Sequence, residues 1–379
     1  MKIDDKTSHN SPSIRFPEFT GEWEKCKIED ITDAVSSGKS KNHFSNGEYN
    51  LYGSTGIIGR TDKALYDGKL VLVARVGANA GFLQIINEPC GITDNTLILK
   101  PKGIDAFYLY YFLQHFNLNR LIFGSGQPLI TGGMLKKVKV SLGTISEQSK
   151  IVKFLSLLDE RIATQVRLID RLQSLIKGIM VKLQQQGLSK GTWKRVPLSS
   201  ILKERTELNE GLLPVYSVSV SQGVVNQMEY LGRSFAAKDT SKYHVAHFGD
   251  LIYTKSPTGS FPYGIVKQNS NRYKVAVSPL YGVYTPANYF TGVFLQEYFK
   301  SEVNTFNYLH SLIQKGAKNT INITNQRFLD NYILIPTDSN DLQQISNLLL
   351  RLNVKKDLMQ NMLQQYQEQK QYLLRQMFI

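Results

Sequence analysis

Residues 145–187 read ISEQSKIVKFLSLLDERIATQVRLIDRLQSLIKGIMVKLQQQG. Apolar side chains recur every seven residues along this stretch, at Leu155, Ile162, Ile169, Ile176 and Leu183. The stretch contains no proline, and Gly178 is the only glycine inside the repeating pattern. Such a repeat is typical of a coiled-coil seam, and about 40 helical residues would extend roughly 60 Å. The pattern predicts one long helix over residues 145–187.

A second stretch of the same kind closes the chain. Residues 338–379 read DSNDLQQISNLLLRLNVKKDLMQNMLQQYQEQKQYLLRQMFI. Its repeating side chains are Ile345, Leu352, Met359, Tyr366 and Leu373. Because an apolar seam is unstable in water, the two helices should pack on each other or on a partner. Two core helices of one large domain remain the alternative. Their length, and the polar residues Gln165, Lys356 and Lys370 within the seams, favour a half-exposed pair.

The chain between and before these helices repeats itself. Trp23 corresponds to Trp193, and each begins a block rich in aromatic and strand-forming residues. Further segments correspond in the same order: 49–59 to 213–225, 70–81 to 251–261, 124–131 to 316–324, and 137–142 to 331–336. Each block also carries an aromatic run that should form a packed helix, at 107–116 and 294–299. The order is therefore block, long helix, block, long helix.

This order predicts an α/β (α+β) protein with a pseudo-two-fold internal repeat. The expected domains are residues 1–144, the helix 145–187, residues 188–337, and the helix 338–379. If the helices form an antiparallel coiled coil, the two blocks lie at opposite ends. That layout suits a DNA site with two unlike halves separated by a fixed gap, because protein symmetry and half-site spacing mirror each other.

The net charge of +14 indicates a polyanionic partner. A positive field attracts nucleic acid, and neutralised phosphates release counterions. The alternative is that the charge only maintains solubility. No apolar run approaches the roughly 20 residues needed to cross a bilayer, and two cysteines, Cys26 and Cys90, cannot build a disulfide framework. We expect a cytoplasmic protein with reduced thiols.

Polar and basic side chains on glycine-rich stretches are the candidate DNA contacts, because loops of this composition reach phosphates and base edges. In the first block they are Lys39, Lys41, Asn42, His43, Arg75 and Asn79. In the second block they are Lys255, Thr258, Ser260, Arg272, Lys315, Lys318 and Asn319. The alternative for each of them is a solvated loop side chain without a DNA contact.

Signatures of catalysis are weak. Residues 278–281 read SPLY, which lacks the second proline of an adenine methyltransferase motif, and the glycines of 123–127 lack the context of a cofactor loop. His244 and His247 stand three apart with no third metal ligand nearby, which favours a surface or packed pair. We expect no catalytic residue, cofactor or metal in this chain. A methyltransferase or nuclease with an unrecognised active site, and a coiled-coil DNA-binding or scaffold protein, remain alternatives.

Three segments carry a family resemblance: RFPEFTGEWEK (15–25), VKVSLGTISEQSKIVKFLSLLDERI (138–162) and YILIPTDSNDLQQISNLLLRL (332–352). With them the chain resembles the specificity subunits of type I restriction-modification systems. The usual proline of the first junction is replaced by Ser141, and its Glu147-Gln148 pair becomes Leu342-Gln343 in the second.

That resemblance implies a non-catalytic protein that binds double-stranded DNA through two target recognition domains. It implies two methylation subunits docked on the helices, and restriction subunits recruited through the complex. S-adenosylmethionine, ATP and Mg would be bound by those partners, which would methylate adenine at N6 and cleave DNA.

Overall fold

The computed structural model describes residues 11–41, 46–122, 128–233, 236–315 and 321–379, and for 314–315 and 321–322 the backbone alone. The chain divides into two compact units. Unit 1 comprises Met1–Val166 with Asn361–Ile379, and unit 2 comprises Arg167–Gln360. Each unit therefore holds one globular block and half of each long helix.

The described residues of the globular block in unit 1 form short strands and two short α-helices. In chain order they are β1 (Glu24–Lys27), β2 (Thr32–Ser37), β3 (Tyr49–Gly53), β4 (Gly56–Thr61), β5 (Lys69–Ala74), β6 (Leu83–Asn87), β7 (Cys90–Ile92), β8 (Thr96–Pro101), α1 (Ala106–Phe116), α2 (Gly132–Lys136) and β9 (Lys139–Leu142). The long helix α3 (Ile145–Ser189) follows directly.

The strands among the described residues of unit 1 form three sheets. Their orders are β2-β8-β5-β6, which is antiparallel throughout, β4-β3-β7, in which β3 and β7 are parallel, and the pair β1-β9. The central strand β5 is buried over five successive residues, as expected for a strand covered on both faces. Helix α1 covers one face with Tyr108, Leu109 and Phe112. The aromatic run at 107–116 is thus a packed helix.

Unit 2 follows the same plan. Its elements are β10 (Trp193–Pro197), β11 (Leu202–Glu204), β12 (Val215–Ser219), β13 (Gly223–Asn226), α4 (Gln227–Leu231), β14 (His244–Ala246), β15 (Leu251–Tyr253), β16 (Val266–Gln268), β17 (Val275–Val277), β18 (Gly282–Pro286), α5 (Tyr289–Phe299), α6 (Glu302–His310), β19 (Gln314–Lys315), β20 (Ile321–Asn322), α7 (Asn325–Leu329) and β21 (Tyr332–Pro336). The second long helix, α8 (Ser339–Met377), ends the chain.

Three sheets of unit 2 correspond to the sheets of unit 1, and the pair β19-β20 has no counterpart among the described strands of unit 1. The order β11-β18-β15-β16 matches β2-β8-β5-β6, and the pair β10-β21 matches β1-β9. The order β13-β12-β17-β14 matches β4-β3-β7 with one strand added, and β12 and β17 are parallel like β3 and β7. The internal repeat and the mixed α/β fold class are confirmed.

The two long helices contact each other in both units. In unit 1, Leu155 of α3 shares a core with Leu373 of α8, and Asp159 Oδ1 lies 2.6 Å from Lys370 Nζ. In unit 2, Met180 of α3 shares a core with Leu349 of α8. The N-terminal half of each helix therefore contacts the C-terminal half of the other.

All ten predicted seam residues are at least partly shielded from solvent. Leu155, Ile169 and Leu373 are buried, and the half-buried ones are Ile162, Ile176, Leu183, Ile345, Leu352, Met359 and Tyr366. Regular knobs-into-holes packing along a coiled-coil seam stays a prediction.

Two glycines of α3 provide a matched test of packing in unit 2. A Cβ at Gly187 would overlap Cδ1 of Trp193, whereas a Cβ at Gly178 would meet no atom within 4 Å. We expect Gly187→Ala to lower the free energy of unfolding by about 1–3 kcal/mol through overpacking. We expect Gly178→Ala to raise it by about 0.5–1 kcal/mol through helix propensity. Urea unfolding followed by Trp193 fluorescence in a Trp23→Phe background measures both. Equal effects would contradict this packing.

Candidate nucleic-acid interface

Lys39 and Lys41 lie on a tethered segment that leaves β2. Their side chains are exposed, while the backbone between them is fixed by a hydrogen bond from Ser40 N to Ile92 O of 2.9 Å. Gly38 lies so close to β7 that a Cβ at this position would overlap Ile92 O. Both ammonium groups therefore stand on a rigid base and face solvent.

Arg75 follows β5 and meets the same segment. Its Nη1 donates to Ser37 Oγ at 3.4 Å, and its backbone N–H donates to Asn95 O at 2.9 Å. Ile130 N donates to the carbonyl of Arg75 at 2.8 Å, which fixes the segment on its other side. The exposed Asn79 follows in a 3-10 turn, Gly77–Asn79.

The structure thus brings four predicted contacts of unit 1 to neighbouring loops. We call loops 37–41, 75–81 and 93–95 the basic edge of unit 1. These loops carry the cations Lys39, Lys41 and Arg75 and one acid, Asp94. The remaining candidates of this block, Asn42 and His43, and the glycine stretch 123–127, lie outside the described residues.

Lys255 lies where the sequence placed it, in the connection from β15 to β16, but it is half-buried. Its φ is +60°, a left-handed conformation that is strained for a lysine. Burial lowers the pKa of Lys255, against a smaller opposing effect of Glu204. A half-buried ammonium of this kind is less suited to a phosphate contact than the exposed lysines of unit 1.

Thr258 and Ser260 lie in the tip of the same connection. Thr258 N donates to Phe261 O at 2.9 Å and Phe261 N donates back to Thr258 O at 3.0 Å, which closes a tight turn. Ser260 is exposed within this turn and Thr258 is half-buried. The hairpin tip therefore presents a preformed polar surface.

The other candidates of unit 2 lie outside the connection between β15 and β16. Arg272 is exposed in the turn before β17, where the neighbouring Asn271 Nδ2 donates to Val224 O of β13 at 3.2 Å. Lys315 lies in β19, of which the backbone alone is described. Lys318 and Asn319 lie outside the described residues.

The two histidines have separate neighbours. His244 Nδ1 lies 2.9 Å from Tyr281 O, and His247 Nε2 lies 2.6 Å from Glu207 Oε2. A hydrogen bond from Lys274 Nζ, 2.9 Å long, is the main cause that lowers the pKa of Glu207. Within the described ranges, no group of three or more His, Cys, Asp or Glu side chains could hold a metal ion.

Sequence reasoning missed a buried ionic cluster in each unit. In unit 1, Arg15 binds Glu147 through Nε and Nη2, at 2.7 and 2.8 Å, and Trp23 Nε1 donates to the same carboxylate at 3.1 Å. In unit 2, Arg205 binds Asp250 through Nε and Nη2, at 2.6 and 3.2 Å. The first cluster joins two of the three segments that carry the family resemblance. The resemblance of these two segments was the sequence signal that could have pointed to the cluster.

Two properties of the chain bear on its class. In the part of the chain that the structure describes, no helix is long and apolar enough to cross a membrane. Residues 20–174 match the family described as Type I restriction modification DNA specificity domain.

Curated relatives match parts of the chain. The chain is 29% identical over 168 residues to the type I restriction enzyme MjaVIII specificity subunit of Methanocaldococcus jannaschii, covering 41% of this chain and 39% of that one. It is 28% identical over 112 residues to the EcoprrI specificity subunit of Escherichia coli, covering 29% of this chain and 28% of that one. The matches thus span less than half the length of these curated relatives.

A solved structure matches the whole chain. The type I restriction-modification S subunit from M. genitalium superimposes with a TM-score of 0.67 at 15% identity. The match covers 97% of this chain and 99% of the other. At this identity the likeness concerns the fold.

Proposed function

We propose that this protein reads DNA sequence for a type I restriction-modification complex, because residues 20–174 match the type I restriction modification DNA specificity domain and the whole chain shares the fold of a solved type I S subunit. The observation that carries the proposal is the repeat itself. One chain holds two units with corresponding sheet orders, apart from the added strand β14, but different loop sequences. Two such units would read two unlike half-sites, and α3 and α8 would set the gap between them.

The basic edge of unit 1 is our candidate for contact with one half-site. Lys39 and Lys41 would bind phosphates, because they are exposed and carry no base-specific geometry. Arg75 and Asn79 would read base edges, since guanidinium and amide groups form paired hydrogen bonds with guanine and adenine. In unit 2 the hairpin tip with Thr258 and Ser260, together with Arg272, would take the corresponding part.

The long helices are our candidate for docking the methylation subunits. They expose large apolar side chains that a soluble helix pair does not need to expose. On α3 these are Ile145, Phe154, Leu157, Val166, Leu168, Leu175, Val181 and Leu188, and on α8 they are Leu348, Val354, Leu358, Met362 and Tyr372. Two methylation subunits would cover these faces, supply S-adenosylmethionine-dependent adenine methylation and connect to ATP-dependent restriction subunits. The chain itself would be non-catalytic.

Methylation mapping tests the proposed function directly. Single-molecule sequencing of host DNA, with and without the gene for this chain, should reveal one bipartite motif whose adenine methylation depends on the gene. Unchanged methylation would contradict the proposal. Methyl transfer from S-adenosylmethionine to DNA by the purified chain alone would show instead that the chain is the enzyme.

The lysines of the basic edge should contribute to affinity without contributing to sequence choice. Each phosphate contact adds about 0.9 to the slope of log K against log salt. Replacing Lys39 and Lys41 with glutamine should therefore reduce that slope by about 2 and weaken all DNA sequences alike. Fluorescence anisotropy of the complex with methylation subunits, at several salt concentrations, measures it on the mapped site and on a scrambled duplex.

A matched control for this experiment lies at the far end of β5. Lys69 begins that strand and Lys100 lies near the end of β8; both are exposed and border the same cavity, whereas Arg75 follows the other end of β5. Replacing Lys69 and Lys100 with glutamine removes the same charge and should leave the slope nearly unchanged. A similar reduction in both variants would show that net charge, rather than the basic edge, determines affinity.

A further inference from the structure

Unit 2 contains a helix that breaks the internal repeat. Helix α6 lies in the connection 300–324 between α5 and α7. The corresponding connection in unit 1, residues 117–131, is shorter, and its described part holds a four-residue 3-10 helix, Leu118–Leu121. A surface built on α6 therefore has no counterpart among the described residues of unit 1.

The start of α6 borders a cavity of about 430 Å³. The cavity lies within unit 2, between α3, α6 and α8. Its apolar wall consists of Ile176, Met180 and Val181 from α3 and Val303 from α6. Val181 and Val303 are 54% and 67% exposed, so the apolar wall is continuous with the surface.

The same cavity is lined by an excess of positive charge. Lys177, Lys300 and Lys356 line it, and among the residues that the structure describes Lys300 is the one paired with a buried carboxylate, that of Glu297. Lys356 pairs at 3.5 Å with the exposed neighbour Asp357, and Lys177 lies exposed on α3. Glu302, at the first position of α6, is the one other acid in the lining.

Lys267 adds a charge behind the lining. It is 7% exposed. Burial is the main cause that lowers the pKa of Lys267 to about 8. Repulsion from Lys300 and Lys356 lowers the pKa further, and attraction to Glu297 raises it by less than these two lysines lower it. A carboxylate entering the cavity would relieve this repulsion. The N-terminus of α6, capped by Ser301, adds its dipole to the same region.

An aromatic ridge extends from the cavity along α6. Val303, Phe306 and His310 lie on one face of the helix, since they are three and four residues apart. Phe306 stacks on His310 with ring centroids 5.1 Å apart, and Tyr263 lies 5.4 Å from Phe306. Phe306 is 41% exposed, so the ridge offers apolar contact area to a partner.

We propose that the cavity and the ridge dock an acidic, apolar segment of a protein partner, once per chain. A carboxylate of the partner would enter among Lys177, Lys300 and Lys356, and its apolar side chains would cover Val181, Val303 and Phe306. Charge complementarity argues for the acid. The apolar wall argues for protein rather than the DNA backbone, because phosphates and sugars offer little apolar surface to cover it. The inference rests on the proposed function in that the partner belongs to the methylation complex.

Photocrosslinking in the assembled complex tests this docking site. The probe is p-benzoylphenylalanine in place of Val303, in the full chain with methylation subunits and DNA bound. We expect a crosslink to one segment of a methylation subunit that contains Asp or Glu beside apolar residues. The matched probe in place of Leu212, which is 80% exposed in a loop of unit 2, should not reach that segment.

Two charge reversals on α3 provide the second measurement. Lys177→Glu should lower the yield of the Val303 crosslink about tenfold. Lys182→Glu, also exposed on α3 but outside the cavity lining, should leave the yield unchanged. Crosslinks to DNA or to a second copy of this chain, or none in a complex that assembles and methylates normally, would overturn the inference and leave the proposed function intact. Failure of the unsubstituted chain to assemble with methylation subunits would overturn both.

Discussion

Replacing Arg15 with alanine should lower the free energy of unfolding of unit 1 by about 3–5 kcal/mol, because the change leaves a buried carboxylate without its cation. The side chain of Glu147 is 0% exposed and depends on two hydrogen bonds from Arg15 and one from Trp23. A Cβ at Gly143 would already overlap Glu147 Oε2, so the site is tightly packed.

The two tryptophans allow each unit to be followed separately. In a Trp193→Phe background, Trp23 is the only tryptophan left, and it lies in direct contact with Glu147. Urea unfolding followed by its fluorescence reports on unit 1, which matters because a chain with two units need not unfold in one step. Arg120→Ala, at an exposed arginine of the same unit, is the control and should change the free energy by less than about 0.5 kcal/mol.

Unit 2 suggests how the loss can be restored. Its counterpart of Glu147 is Leu342, which is buried in the same core as Trp193. Apolar residues can replace a buried ion pair at little cost, whereas removing one partner is costly. The double variant Arg15→Met with Glu147→Leu should therefore recover most of the stability lost in Arg15→Ala. An Arg15→Ala variant as stable as the control would show that the ion pair contributes little.

The helices and the repeat could be read from the sequence because their signals are local or periodic. Seven-residue spacing needs only the order of Leu155, Ile162 and Ile169 along the chain. Strand pairing could not be read in the same way. The runs that form β5 and β8 are recognisable as strands, but their partners are fixed by contacts across the fold, and β8 pairs with both β2 and β5.

The candidate interface was predictable only as far as loop composition allows. Lys39 and Lys41 are exposed as expected, but Lys255 is half-buried in a left-handed conformation beside Gly264. No pattern in the sequence separates these lysines, since packing decides their burial. Arg15 and Glu147 are 132 positions apart in the chain. The sequence therefore showed both residues but not the hydrogen bonds between them.

Exchanging residues 24–142 with the corresponding part of another type I specificity subunit, one that reads a known site, should replace one half of the methylated motif. This boundary moves β1 and β9 together, because they pair with each other from Glu24 to Leu142. It also leaves Arg15, Trp23 and Glu147 in the host chain, so the buried ionic cluster survives the exchange. Methylation mapping of cells that carry the chimera, with its methylation subunits, should show the donor's half-site, the original second half-site and an unchanged gap.

The reciprocal exchange is the control. Residues 193–336 run from β10 to β21, which pair from Trp193 to Pro336, and their exchange should replace the other half of the motif. The two results together would mean that each unit reads DNA with its own loops, as the repeated sheets suggest. A change in both halves after either exchange would contradict this. Base recognition would then require residues of both units at each half-site, and a single basic edge such as loops 37–41, 75–81 and 93–95 could not account for specificity.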